Sequence, residues 1–174
     1  MPLNKTQART PRQDVGQGAS VADLEALYRG QYPRFLRVAR LITGDETHAH
    51  DAVQDAFAAA LKGRRSYRGA GPLEAWVWRA VVHASTRNRR RNELPLPDEE
   101  PLATNGSVTA EDRVLRAWIA ALPERQRLAV FLRYYADLDY RAIASALDIE
   151  VGTVSATLSA AHAVLRKALQ EVPR

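Results

Sequence analysis

Apolar positions recur along most of the chain with the three-and-four spacing of helices buried on one side. Leu24, Leu27, Tyr28, Phe35, Val38, Ala39 and Ile42 form the first such stripe. Ser20 precedes it as an N-cap, because its hydroxyl can accept from an otherwise unpaired first-turn N–H. Gly44 is the expected stop, since a helix commonly ends on a residue with left-handed backbone. Pro33 lies inside the stripe and has no N–H to give, so either a kinked helix or two abutting helices fits. A second stripe, Ala52, Val53, Ala56, Phe57, Ala60 and Leu61, predicts a helix over about 48–61, closed by Gly63. "YRGAGP" at 67–72 is loop chemistry. A third helix, "LEAWVWRAVVHASTRNRRR", runs from Leu73 to about Arg91.

The helical period is then lost. "NELPLPDEEPLATNGSVTA" holds three prolines and the acidic cluster Asp98, Glu99 and Glu100, and reads as a flexible acidic linker over 92–110. Helices resume over about 111–121 and, with Pro123 at the first helical position, to about Tyr135. In the last stretch Leu138, Ile143, Ala144, Leu147, Ile149, Val151, Val154, Leu158, Ala161 and Leu165 fit the interior of a helix–turn–helix with its turn near 148–152. Its second helix begins near Val151 and offers Thr153, Ser155, Ala156 and Ser159 as outward positions. A helical hairpin with no ligand gives the same pattern. No segment alternates like a strand. The expected fold class is all-α. Two small helical domains, 21–91 and 111–174, follow a disordered tail over 1–20.

Charge sharpens this picture. Among 174 residues, Lys and Arg number 25 and Asp and Glu 20, for a net charge of +5. The excess is local: residues 64–91 carry eight arginines (64, 65, 68, 79, 87, 89, 90, 91) against one acid, Glu74, a formal charge of +7. Tyr67, Trp76 and Trp78 lie in the same stretch. Guanidinium groups hold phosphate while rings stack on exposed bases, which suits single-stranded nucleic acid better than a merely solvated face. Two positions apart, Trp76 and Trp78 cannot share a helix face, so at least one is expected toward the surface.

Other chemistries find little support. The chain has no cysteine, which excludes disulfides and thiolate metal sites. "HAHD" at 48–51 could place His48 and Asp51 on one face, with only Glu46 or Asp55 to add, short of the converging set that zinc takes. A helix start with Asp45 and Glu46 at the positive end of the dipole explains it better. There is no G-x-S-x-G, no phosphate-cradling glycine loop and no H-E-x-x-H, hence no expected catalytic residues, cofactor or metal. No apolar run approaches the roughly 20 residues of a membrane span, and the polar N-terminus lacks a signal-peptide core. A cytoplasmic, soluble protein with no membrane insertion is expected.

Three ordered segments carry a resemblance. "DAVQDAF" at 51–57 is similar to D-x-V-Q-E/D-x-F. "SYRGAGPLEAWVWRAVVH" is similar to F-R-G-x-x-S-F-x-x-W-L-x-R-I-A-x-N. "LPERQRLAVFLRYYADLDYRAIASALDIEVGTV" at 122–154 is similar to L-P-x-x-x-R-x-x-x-x-L-R-Y-x-x-x-L-S-Y-x-E-I-A-x-x-L-G-I-x-x-G-T-V. Together they resemble the extracytoplasmic-function (ECF) sigma factors of bacterial RNA polymerase. That resemblance implies a non-catalytic factor that binds core polymerase, selects a promoter, melts its −10 element and starts transcription. It implies Asp51, Gln54, Asp55 and Phe57 as docking residues for the β′ clamp helices. Tyr67, Arg68, Trp76, Trp78, Arg79, His83, Arg87, Arg89, Arg90 and Arg91 are implied at the −10 element. Arg141, Thr153, Ser155, Ala156, Thr157 and Ser159 are implied at the −35 element. The β flap, promoter DNA and a regulator of the anti-sigma kind are the implied partners.

The chain departs from the pattern in three places. His83 stands where Asn is usual, and Arg87 where an acid is common. The second helix of the hairpin reads "GTVSATLSAAHAVL", with Ser155, Thr157, Ala160 and His162 where cations are usual. The alternative reading is therefore a sigma-like interaction module that binds polymerase or an anti-sigma factor and has reduced or lost −35 selection. The acidic linker fits either a phosphate mimic lying in the polymerase cleft or an extended spacer.

Overall fold

The structure, a computed structural model, describes residues 18–92 and 110–171. Seven α-helices make up nearly all of it: α1 (Val21–Thr43), α2 (Glu46–Gly63), α3 (Leu73–Asn92), α4 (Ala110–Ala121), α5 (Glu124–Tyr134), α6 (Tyr140–Leu147) and α7 (Val151–Gln170). A single 3₁₀ turn, Arg64–Ser66, follows α2. No strand occurs among the described residues. The expected linker over 92–110 lies almost wholly outside them.

Local chemistry sets the boundaries. Ser20 accepts from the Asp23 N–H at 3.0 Å, and Gly44 closes α1 at φ 86 with its N–H on the Arg40 carbonyl. Pro33 does not break α1. It is exposed, so the carbonyl that loses its partner can turn to water. The predicted start of α2 is two residues late, because Asp45 is the cap and accepts from the His48 N–H at 2.9 Å. Pro123 likewise caps α5 rather than opening it. Of the segment expected as a tail over 1–20, residues 1–17 lie outside the described ones, and Ala19 is held in place: it is buried and its N–H donates to the Arg64 carbonyl at 2.8 Å.

Helices α1–α3 close around three rings. Phe35 meets Trp78 at 4.5 Å and Phe57 at 5.3 Å between centroids. Val38, Val53, Val77 and Val81 fill the space around them, all fully buried. The Trp78 indole N–H donates to Glu74 at 3.3 Å, the partner that a buried indole needs. Helices α4–α7 close around Leu132, Ile143, Val154 and Leu158. Arg127 is buried there. Its guanidinium donates to the carbonyls of Ala120 at 2.9 Å and Leu122 at 3.0 Å, satisfying the otherwise open end of α4.

The hairpin takes the expected form. Asp139 caps α6 by accepting from the Ala142 N–H at 2.7 Å. Asp148 ends it in left-handed conformation at φ 56, which turns the chain into α7. Val151, expected inside, is 43% exposed, because it opens α7 before the helix settles on its partners. The two groups of helices also touch each other, α3 against α6 and α1 against α5.

Candidate nucleic-acid interface

The arginine-rich segment is built on a braced loop. The 3₁₀ turn receives the Ala19 N–H on Arg64, and Gly18 beside it adopts φ 48, where a Cβ would lie 2.8 Å from the Arg64 carbonyl oxygen. Tyr67 then closes the loop by donating its hydroxyl to the Gly71 carbonyl at 2.6 Å. Its ring lies 5.7 Å from that of Trp76. Burial, and then the negative charge of Asp23, push the Tyr67 phenol above its ordinary value, so it stays protonated and keeps donating. The loop thus presents a half-buried aromatic pair beside the exposed Arg65 and Arg68.

Helix α3 continues the surface. Arg79, His83, Arg87, Arg90 and Arg91 are exposed and Arg89 is half-buried. Three of these arginines already face carboxylates. Arg79 meets Asp148 at 2.9 Å, Arg87 meets Asp55 at 3.5 Å, and Arg90 meets Glu124 at 2.9 Å. Val82, His83, Thr86 and Arg87 of α3 line one side of a cleft of about 400 Å³, with Leu128 of α5 and Leu147 of α6 opposite. None of these pairings was visible in the sequence, where the partners of the longest lie 69 positions apart.

Two assignments need correction. Trp78 is fully buried between α1 and α3 and has no surface to offer a base. Of the two tryptophans it is Trp76, against Tyr67, that stays accessible. Phe57 is 6% exposed and packs edge-on against Phe35 and Tyr28. It supports α2 from behind, while Asp51, Gln54 and Asp55 form the exposed edge.

On α7, Ser155, Ala156 and Ser159 are exposed, and Thr153 and Thr157 are half-buried. No side chain caps its first turn. From Val151 to Leu165 it carries no Lys or Arg, and His162 faces the Tyr134 hydroxyl at 2.8 Å. Arg141 is exposed on α6, and Arg166 and Lys167 on the last turns of α7. The two histidines of "HAHD" point apart. His48 meets Asp45 at 2.8 Å and His50 meets the Tyr32 hydroxyl at 2.5 Å. No group of three metal-ligating residues converges among the described residues. No helix among them is long and apolar enough to cross a membrane.

An arginine and aromatic surface on one helical group, and a helix–turn–helix in the other, define a two-part transcription factor. Family comparison agrees on both halves: Sigma-70 region 2 matches residues 27–94 and Sigma-70, region 4 matches residues 112–171. The chain belongs to the sigma-70 family and is a promoter-directing factor of its ECF type. It is 29% identical over 149 residues to the ECF RNA polymerase sigma factor SigM of Mycobacterium tuberculosis, covering 83% of this chain and 76% of that one. It is 29% identical over 155 residues to the RNA polymerase sigma-E factor of Streptomyces coelicolor, covering 86% and 87%. Among solved structures, the sigma factor RpoE of Bartonella quintana, in complex with the anti-sigma factor NepR, aligns with a TM-score of 0.68. Identity there is 20%, over 88% of this chain and all of that one. CnrH in complex with the cytosolic domain of CnrY aligns at 0.65, with 21% identity over 89% and 92%. Sigma factors are regulatory initiation factors, not catalysts.

Proposed function

We propose that this factor docks on core polymerase through Asp51, Gln54 and Asp55 of α2, on the β′ clamp helices. It would open the −10 element with the Tyr67 loop and α3, and place α7 at the −35 element near the β flap. The observation that carries this is the exposed arginine series of residues 65–91 beside the Tyr67–Trp76 pair, since phosphate binding and base stacking are the two things strand opening asks of a surface. Catalysis stays with the polymerase. Work in the cytoplasm, where polymerase and promoter meet, follows from the role.

Run-off transcription with core polymerase tests the proposal. Arg89→Ala, Arg90→Ala and Arg91→Ala together should reduce permanganate-reactive thymines and run-off transcript on a linear promoter fragment. Their salt slope should flatten by about 0.7–0.9 per lost phosphate contact. Unchanged melting and slope would reduce the arginines to a solvated face.

One observation favours the second reading, of an interaction module with weakened −35 selection. The exposed face of α7 between Val151 and Leu165 has no fixed charge. A promoter series with randomised −35 sequences separates the two, because only a selecting factor gives transcripts that depend on that sequence.

A further inference from the structure

Ser155, Ser159, His162 and Arg166 follow one another on α7 at intervals of four, three and four residues, so they share one stripe about 16 Å long. Ser155, Ser159 and Arg166 are exposed and His162 is half-buried. His162 is the one member of the stripe whose charge can change near neutral pH. Its ring is held from α5: Nε2 lies 2.8 Å from the Tyr134 hydroxyl, and the two rings are 5.9 Å apart. Nδ1 has no partner among the described residues.

We propose that His162 is a proton-dependent phosphate contact for duplex DNA. Protonated, it holds a backbone phosphate at the −35 element through its Nδ1–H. Neutral, it adds nothing to the affinity. This rests on the reading of α7 as the −35 face.

The tether suits a side chain that changes its charge in place. A tyrosine hydroxyl both donates and accepts. Tyr134 can donate to a bare Nε2 or accept from an Nε2–H, so the ring keeps its position when it gains a proton, and Nδ1 stays the open nitrogen in both states.

The surroundings leave that charge unanswered. The elements packed on α7 are α4, α5 and α6. Helix α5 brings Tyr134 and Arg133, the latter paired with Asp137 at 3.9 Å. Helix α6 carries Tyr140 and Arg141, and α4 carries Arg113 and Arg116. On α7 itself Arg166 lies one turn beyond His162 on the same face. No carboxylate pairs with His162 among the described residues. An imidazolium with Arg166 beside it and no internal anion takes its counter-ion from outside the protein. A phosphate spanning positions 162 and 166 answers both charges. Proton and DNA therefore favour each other's binding.

The test uses the full chain and a labelled duplex carrying a −35 element from which it transcribes. Anisotropy is read across a salt series at about pH 5.5 and about pH 8, on either side of the histidine range. His162→Gln is the neutral comparison, and His162→Arg fixes the charge. The other three histidines, 48, 50 and 83, are common to all three proteins and cancel. Circular dichroism at both pH values checks that helix content is shared.

Relative to His162→Gln, the wild type should bind more tightly in acid and equally at the higher pH. Its acid slope of log K on log salt should be steeper by about 0.9, so the gain shrinks about 3.5-fold between 50 and 200 mM. His162→Arg should show the steeper slope at both pH values. The same pH dependence in wild type and His162→Gln would overturn the histidine contact; if His162→Arg still tightens binding at the higher pH, α7 lies on the DNA and its placement stands. No change of affinity or slope in His162→Arg at either pH would take α7 off the DNA backbone, and the proposal with it.

Discussion

Ser155 and Ser159 lie one turn apart on the exposed face of α7, where the helix offers hydroxyls and methyl groups but no cation. Each Lys or Arg that reaches a duplex phosphate adds about 0.9 to the dependence of log K on log salt. Ser155→Lys with Ser159→Arg should therefore steepen the slope by about 1.8 if both reach the backbone. Between 50 and 200 mM salt that difference alone amounts to a factor of about 12, so the gain in affinity is largest at low salt. Thr157 is the poorer place for an added cation, because its side chain is half-buried and would have to move outward to reach a phosphate. Folding should not suffer, since Lys and Arg are better helix formers than Ser by a few tenths of a kcal/mol (~0.3). The assay is anisotropy of duplex −35 DNA across a salt series, with Ser155→Gln and Ser159→Gln controlling for bulk. A wild-type slope that is already steep, and unmoved by the two cations, would refute the placement of this helix face on DNA. Arg141, Arg166 and Lys167 would then be the phosphate contacts.

Gln54→Ala with Asp55→Ala should lower retention on immobilised core polymerase by about tenfold or more while helix content by circular dichroism stays constant, because both side chains are exposed and neither packs in the core. Arg127→Met keeps the bulk but strands the carbonyls of Ala120 and Leu122, and should cost about 2–3 kcal/mol in denaturant unfolding. Asp45→Asn keeps the cap and removes only the charge. The N–H of His48 holds the Asp45 carboxyl below its ordinary value, so its contribution is present above the unfolded value near 3.9 and is lost as pH falls through the folded one. The melting temperatures of wild type and variant should accordingly differ at pH 7 and converge as the pH falls through the folded value.

Signals that act within a turn were legible in the sequence. Ser20 and Gly44 bound α1 as their chemistry demands, and the hairpin around Asp148 has its turn where the apolar period breaks. Asp45 reads in the sequence as dipole chemistry, whereas its carboxylate caps the helix, and α2 therefore starts two residues before the apolar stripe predicts. Spacing established that Trp76 and Trp78 face different ways, but which one is buried depends on Phe35, over 40 positions earlier in the chain. The same holds for the candidate site. The arginine cluster is evident from composition, whereas the acids that face it come from α2, α5 and the turn after α6 and leave no local trace. The need for glycine at position 18 comes from Arg64, 46 positions later in the chain, and has no local signature.

The three tryptophans occupy three different surroundings. Trp78 is sealed in the first core, Trp76 leans on Tyr67 at the loop, and Trp118 is half-buried on α4. Emission from a sealed indole lies to the blue and ignores added quencher, while an indole beside a stacked base is quenched by it. The chain therefore carries its own optical reporters. With Trp118→Phe in the background, loss of red-shifted emission on adding single-stranded DNA would register Trp76 at the strand, while the blue component from Trp78 would follow only unfolding.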